Sequence, residues 1–209
     1  MLWAFCCLAL SGKKAMSDDK GPRWDEYTSL MRSLLTESER AAVILAAAQL
    51  DVELEKVLKH VLVPCAGGTD LLFDADRALG TFSAKILMAH RLGIITLEFE
   101  HSLQLVRKIR NDFAHQIDTE SLAGSKQRDR VETLYQKFES SDRFMEIASS
   151  ILQWKDINTT QEQRKLVACC AAMIAMLRNS GRNLKRIDFG QVLNIYPSEK
   201  NRKDKPATK

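Results

Sequence analysis

Apolar residues recur at helical spacing through most of this chain, a pattern that predicts an all-α fold. Proline and glycine are scarce, at 4 and 9 of 209 residues, as expected for long uninterrupted helices. Helices are predicted over residues 24–35, 81–92, 97–115 and 160–179. A long helix is predicted to begin at a cap, either Ser38 or Thr36 with Glu39 three residues on, and to end at about Val63. Residues 128–153 are predicted to form one helix or two.

The length and composition predict one domain. A chain of 209 residues with 45% apolar residues is long enough for one buried core and short for two. We expect a single helical bundle of about five to seven helices over residues 24–181. A non-native or disordered extension is predicted at 1–23 and a basic tail at 182–209, disordered after Pro197. Apolar alternation from Ile187 to Ile195 predicts a short strand or an arm.

The amino-terminal decapeptide is apolar but lacks the order of charges of an export signal. No basic residue precedes the apolar run, and Lys13 and Lys14 follow it. Ten residues are also too few to span a membrane. We therefore expect the native protein to begin near Met16 and to be cytoplasmic, with no membrane partner.

The net charge of +4 is unevenly placed along the chain. Residues 182–209 carry eight Lys or Arg against three acidic residues, so the remaining chain sums to −1. A lysine-rich end of this kind is more often a solubilising tail than a nucleic-acid arm.

The five cysteines have no spacing that predicts a metal site or a disulfide framework; they are Cys6, Cys7, Cys65, Cys169 and Cys170. Cys169 and Cys170 lie in an apolar stretch and are expected to be core residues. We predict a reducing compartment, no metal and no cofactor.

One six-residue stretch carries candidate chemistry: Arg110-Asn111-Asp112-Phe113-Ala114-His115. The imidazole of His115 could move a proton near neutral pH, and the guanidinium of Arg110 could stabilise a charged transition state. If the protein is an enzyme, the catalytic residues are Arg110, Asn111 and His115.

Helical periodicity places Arg110 within an apolar face, between Leu103 and Val106. A lone buried charge is costly, so Arg110 should have a partner. Asp51 lies within the apolar arc of the long second helix, and Glu55 lies on its edge. We expect Asp51 to pair with Arg110, either as a purely structural ion pair or to hold Arg110 in position for an anionic substrate.

His115 also has a structural interpretation, because a histidine in the last turn interacts favourably with the helix dipole. Its spacing of five from Arg110 puts the two side chains about 140° apart on a regular helix. They would converge if the helix ended between them or if two copies met in a dimer. A homodimer is expected in either case.

The pattern Arg-Asn-x-x-x-His resembles the signature of the HEPN (higher eukaryotes and prokaryotes nucleotide-binding) superfamily of helical bundles. Residues 40–116 resemble the MltR family, named for the mannitol operon repressor. The motifs that match are Leu50-Asp51, Leu54-Glu55, Leu72-Phe73-Asp74, Leu79-Gly80, Phe82-Ser83-Ala84-Lys85-Ile86, Leu92-Gly93-Ile94-Ile95 and Ile109 to His115.

The resemblance implies a bacterial regulator of sugar uptake. The sequence shows neither a helix-turn-helix nor a basic stripe on a core helix, so direct DNA binding is not expected and a protein partner is. The alternative is a metal-independent endoribonuclease of the HEPN type, which leaves RNA open as a partner. The slightly acidic body of the chain counts against that alternative.

Overall fold

The computed structural model describes residues 24–115, 121–181 and 183–188. Seven α-helices and one 3-10 turn, Leu71–Phe73, make up this part, and it contains no strand. The helices are α1 (Trp24–Thr36), α2 (Glu39–Val61), α3 (Phe82–Arg91), α4 (Leu97–His115), α5 (Ser125–Gln136), α6 (Asp142–Leu152) and α7 (Gln161–Ser180). The prediction of an all-α bundle is confirmed.

Threonine and serine side chains start five of these helices. Ser38 Oγ accepts a hydrogen bond from the Ala41 N–H at 3.2 Å, which identifies Ser38 as the cap of α2. The hydroxyls of Thr81, Thr96, Ser141 and Thr160 do the same for α3, α4, α6 and α7. Each oxygen pairs one of the N–H groups that a helix start leaves without a partner.

Two central helices, α2 and α7, organise the core. α2 packs against α1, α3, α4 and α7, while α7 also packs against α1, α5 and α6. Cys169 and Cys170 are fully buried on α7, as predicted, and burial raises the pKa of the Cys170 thiol to about 12. An ion pair between Glu53 and Arg178, 3.0 Å long, joins the two helices at the edge of the core.

A buried arginine closes the connection between α6 and α7. Arg164 donates hydrogen bonds to the carbonyl oxygens of Ile151 at 2.8 Å, Trp154 at 2.9 Å and Ile157. Carbonyls at a helix end have no partner within the helix. One guanidinium therefore satisfies the end of α6 and the turn that follows it.

The predicted connection before α3 turns tightly at Gly80. A Cβ at this position would lie 2.1 Å from the carbonyl oxygen of Asp74, so the close approach of the two backbones requires glycine. The predicted segment 128–153 is two helices, and the first begins three residues earlier, at Ser125.

Residues 183–188 lie against the end of α2. The Ile187 N–H donates to the Val61 carbonyl at 2.8 Å, and His60 Nε2 lies 3.1 Å from the Leu184 carbonyl oxygen. The predictions for 1–23, for 189–209 and for most of the arm from Ile187 to Ile195 fall outside the described residues. None of the described helices combines the length and the apolar character needed to cross a membrane.

Candidate functional site

The six-residue motif lies in the last two turns of α4. Val106, Ile109 and Phe113 form the buried face of this half of the helix. Arg110 and His115 are exposed, and Asn111 is half-buried. Arg110, Asn111 and His115 are thus at the surface of the bundle, near the end of a helix whose other face belongs to the core.

The predicted pairing of Arg110 with Asp51 is wrong. Arg110 is exposed, and its Nη1 donates to Asn111 Oδ1 at 3.1 Å. Asp51 instead lies 2.9 Å from the Nζ of Lys85 on α3. Asp51 therefore joins α2 to α3 through an ion pair with Lys85, and neither interpretation of an Asp51–Arg110 pair applies.

The register of α2 against α4 explains the error. Arg40, at the start of α2, donates to the Phe113 carbonyl, and its guanidinium lies 5.9 Å from the Phe113 ring centre. Phe113 lies two residues before the end of α4, so the start of α2 contacts the end of α4. Two helices that pack along their lengths from such a contact run in opposite directions. Asp51 then lies about 16 Å along α2 from this contact, whereas Arg110 is only about 4.5 Å from it along α4.

Lys85, which sequence reasoning did not identify, is the cation for both Asp51 and Glu55. It is 4% exposed, and its Nζ lies 2.7 Å from Glu55 Oε2. The contact with Asp51 is close but does not have hydrogen-bond angles, so it acts through charge. Burial alone would lower the pKa of Lys85, but the Glu55 hydrogen bond and the two carboxylate charges outweigh burial and raise it.

Asp112, inside the motif, is a second residue that sequence reasoning passed over. Its Oδ2 lies 2.6 Å from Lys126 Nζ and accepts hydrogen bonds from Arg130 at 2.8 Å and Gln127 at 2.9 Å. These contacts, with the Lys126 bond the largest, lower the pKa of Asp112 to about 2. Asp112 therefore ties α4 to α5. The sequence feature that could have indicated this site is the spacing of Lys126 and Arg130, four residues apart on one face of a helix.

Arg110 and His115 do not converge. Among the described contacts, Arg110 bonds to Asn111 and nothing joins it to His115. Both stand on one regular helix, about 140° apart. A single chain therefore does not place the imidazole and the guanidinium on one reacting group.

The basic side chains of this half of α4 spread over about 160° of the helix surface. We call Arg107, Lys108, Arg110 and His115 the α4 cationic face; Arg107 is half-buried and the other three are exposed. Arg107 lies near the middle of this face, Arg110 at one edge, and Lys108 and His115 at the other.

A separate cleft of about 500 Å³ lies where α2 and α7 begin, and no residue of the motif lines it. Most of its polar side chains have partners within the described part of the protein. Glu39 accepts from Ser121 Oγ, the Leu122 N–H and Thr160 Oγ1 at 2.8–3.0 Å. The buried Gln163 donates to the backbone of α1 and of the turn after it. The cleft brings together no catalytic set.

The described side chains include no group of three that could hold a metal ion. No protein family, curated protein or solved structure matches this chain.

Proposed function

We propose that this chain is a regulatory binding module, of the kind that the resemblance to the MltR family implies, and that it acts through a protein partner. The observation that carries the proposal is the position of Arg110, Asn111 and His115. Arg110 and His115 are exposed and Asn111 is half-buried, and the hydrogen bond described for these side chains joins Arg110 to Asn111. Exposed polar residues without a role in folding are available for binding.

The site is less suited to DNA than to a protein partner. Sequence-specific domains place a helix in the major groove and contact many phosphates with Lys and Arg. The α4 cationic face has three fixed positive charges, and α4 is packed on α2, α3 and α5. These features favour a protein partner over a duplex.

Gene deletion in the native host tests the proposal. Loss of a regulator should change the level of a small set of transcripts, and the wild-type gene should restore them. An unchanged transcript profile would contradict the proposal. A homodimer stays a prediction, checked by sedimentation of the purified chain.

One observation supports the ribonuclease alternative: the motif is intact, and its arginine and histidine are exposed. We expect little or no RNA cleavage, because Arg110 and His115 diverge on one helix. The test is incubation with single-stranded and structured RNA in the presence of a chelator. Products ending in 2′,3′-cyclic phosphate, lost in a folded His115→Ala protein, would establish the ribonuclease instead.

A further inference from the structure

We propose that the α4 cationic face is a docking surface for a carboxylate-rich segment of a protein partner, with Arg110 as its anchor. This inference rests on the proposed function and names the chemistry of its partner. It is carried by the placement of charges along α4 and by the hydrogen bond that restrains the Arg110 guanidinium.

Among the described residues, no ion pair neutralises the positive charge of this face. Between residues 101 and 115 the only carboxylate is Asp112. It is committed to α5, through Lys126 and Arg130. Arg107, Lys108 and Arg110 therefore present three formal positive charges, and His115 adds a fourth when protonated.

Arg110 is prepared for a carboxylate. Its bond to Asn111 Oδ1 uses one of the five N–H groups of the guanidinium and restrains the side chain. A guanidinium that is already held loses less freedom when it binds the two oxygens of a carboxylate. Arg107 is restrained in the same way, because its Nε donates to Gln104 Oε1 at 2.7 Å.

The composition of the face favours protein over RNA. Single-stranded RNA is held by stacking of its bases on exposed aromatic rings as well as by charge. The one Phe, Tyr or Trp in this half of α4 is Phe113, which is 1% exposed, so the imidazole of His115 is the only ring that this face offers to a base. Arg107 and Arg110 are three residues apart on adjacent turns, a spacing that carboxylates on one face of a partner helix can match.

The experiment measures binding of a fluorescein-labelled oligo-L-glutamate peptide to the full chain by fluorescence anisotropy. Arg110→Glu is compared with Lys155→Glu, which reverses an exposed charge outside the face. We expect Arg110→Glu to weaken binding about tenfold or more and Lys155→Glu to leave it within about twofold. Added salt should weaken wild-type binding.

Three results would overturn the inference. The first is equal binding by wild type and Arg110→Glu, which would place the peptide elsewhere, such as on the basic residues of 182–209. The second is the absence of binding. The third is tighter binding of oligouridine RNA than of oligo-glutamate, lost in Arg110→Glu, which would assign the face to nucleic acid.

The same variant separates this inference from the proposed function. If Arg110→Glu restores the transcripts of a deletion strain as well as wild type does, the regulatory function stands and the docking surface is wrong. If deletion changes no transcript while the peptide binds through Arg110, the surface stands and the regulatory function is wrong.

Discussion

Lys85 Nζ lies 2.7 Å from Glu55 Oε2 and so joins α3 to α2 through a cation that is almost fully buried. Glu55 also pairs with Lys59 at 2.7 Å, but Lys59 is on the surface. The same carboxylate thus has one buried and one exposed partner, which makes the effect of burial measurable within one cluster.

Lys85→Met should destabilise the protein by about 2–4 kcal/mol, because two carboxylates lose their shared cation. The carboxylate side chains are 30% and 27% exposed, so water recovers part of the loss. Lys59→Met removes a 43% exposed partner and should cost less than about 1 kcal/mol. Urea unfolding measures both, and equal losses would contradict the buried pair.

Double-mutant cycles should show that Asp51 is coupled to Lys85 and not to Arg110. The free energies lost in Asp51→Ala and Arg110→Ala should add within about 0.5 kcal/mol, since the residues share no partner. Asp51→Ala with Lys85→Ala should cost clearly less than the sum of the single changes. Coupling between Asp51 and Arg110 would contradict the antiparallel register of α2 and α4.

The contacts of Asp112 should stabilise the protein in a pH-dependent way. Its folded pKa, about 2, lies below the ordinary value of 3.8, so the stabilisation is complete above about pH 4 and is lost as the pH falls towards 2. Asp112→Asn should cost about 1–2 kcal/mol near neutral pH.

The difference in unfolding free energy between wild type and Asp112→Asn should therefore shrink steadily below pH 4. Asp156→Asn is the matched control, because Asp156 pairs with Arg32 on the surface and should show a smaller effect. A difference that is constant from pH 7 to pH 2 would show that the charge of Asp112 is not the cause.

Arg164→Met should cost about 3 kcal/mol or more, since it removes the guanidinium that donates to three carbonyls, one at the end of α6 and two in the turn that follows. Arg164→Lys should recover part of that loss, because an ammonium keeps the charge but not the planar geometry. Arg77→Met, at a side chain that is 56% exposed, serves as the control in thermal unfolding. Similar losses at both sites would refute the role of Arg164.

Arg110→Ala and His115→Ala should each change stability by no more than about 0.5 kcal/mol, because both side chains are exposed. Phe113→Ala, between them in sequence, should cost about 3–5 kcal/mol through the cavity it leaves. Circular dichroism with heating distinguishes these outcomes. A large loss at Arg110 would mean that the residue supports the fold.

Local chemistry made the helices predictable from sequence alone. An N-cap joins a side-chain oxygen to an N–H three residues later, so Thr81 and Thr96 mark helix starts wherever the helices pack. The same holds for the apolar period of α2 and α7 and for the burial of Cys169 and Cys170. These features depend on neighbours along the chain.

The partners of the charged residues were decided only by the tertiary structure. Asp51 could be identified as a misfit on an apolar face, but the choice between Lys85 and Arg110 depended on the register of three helices. Arg110 has the period of a core position and is nevertheless exposed near the end of α4. Periodicity reports the direction of a side chain around its helix, whereas exposure also depends on which neighbouring helix lies beside that turn.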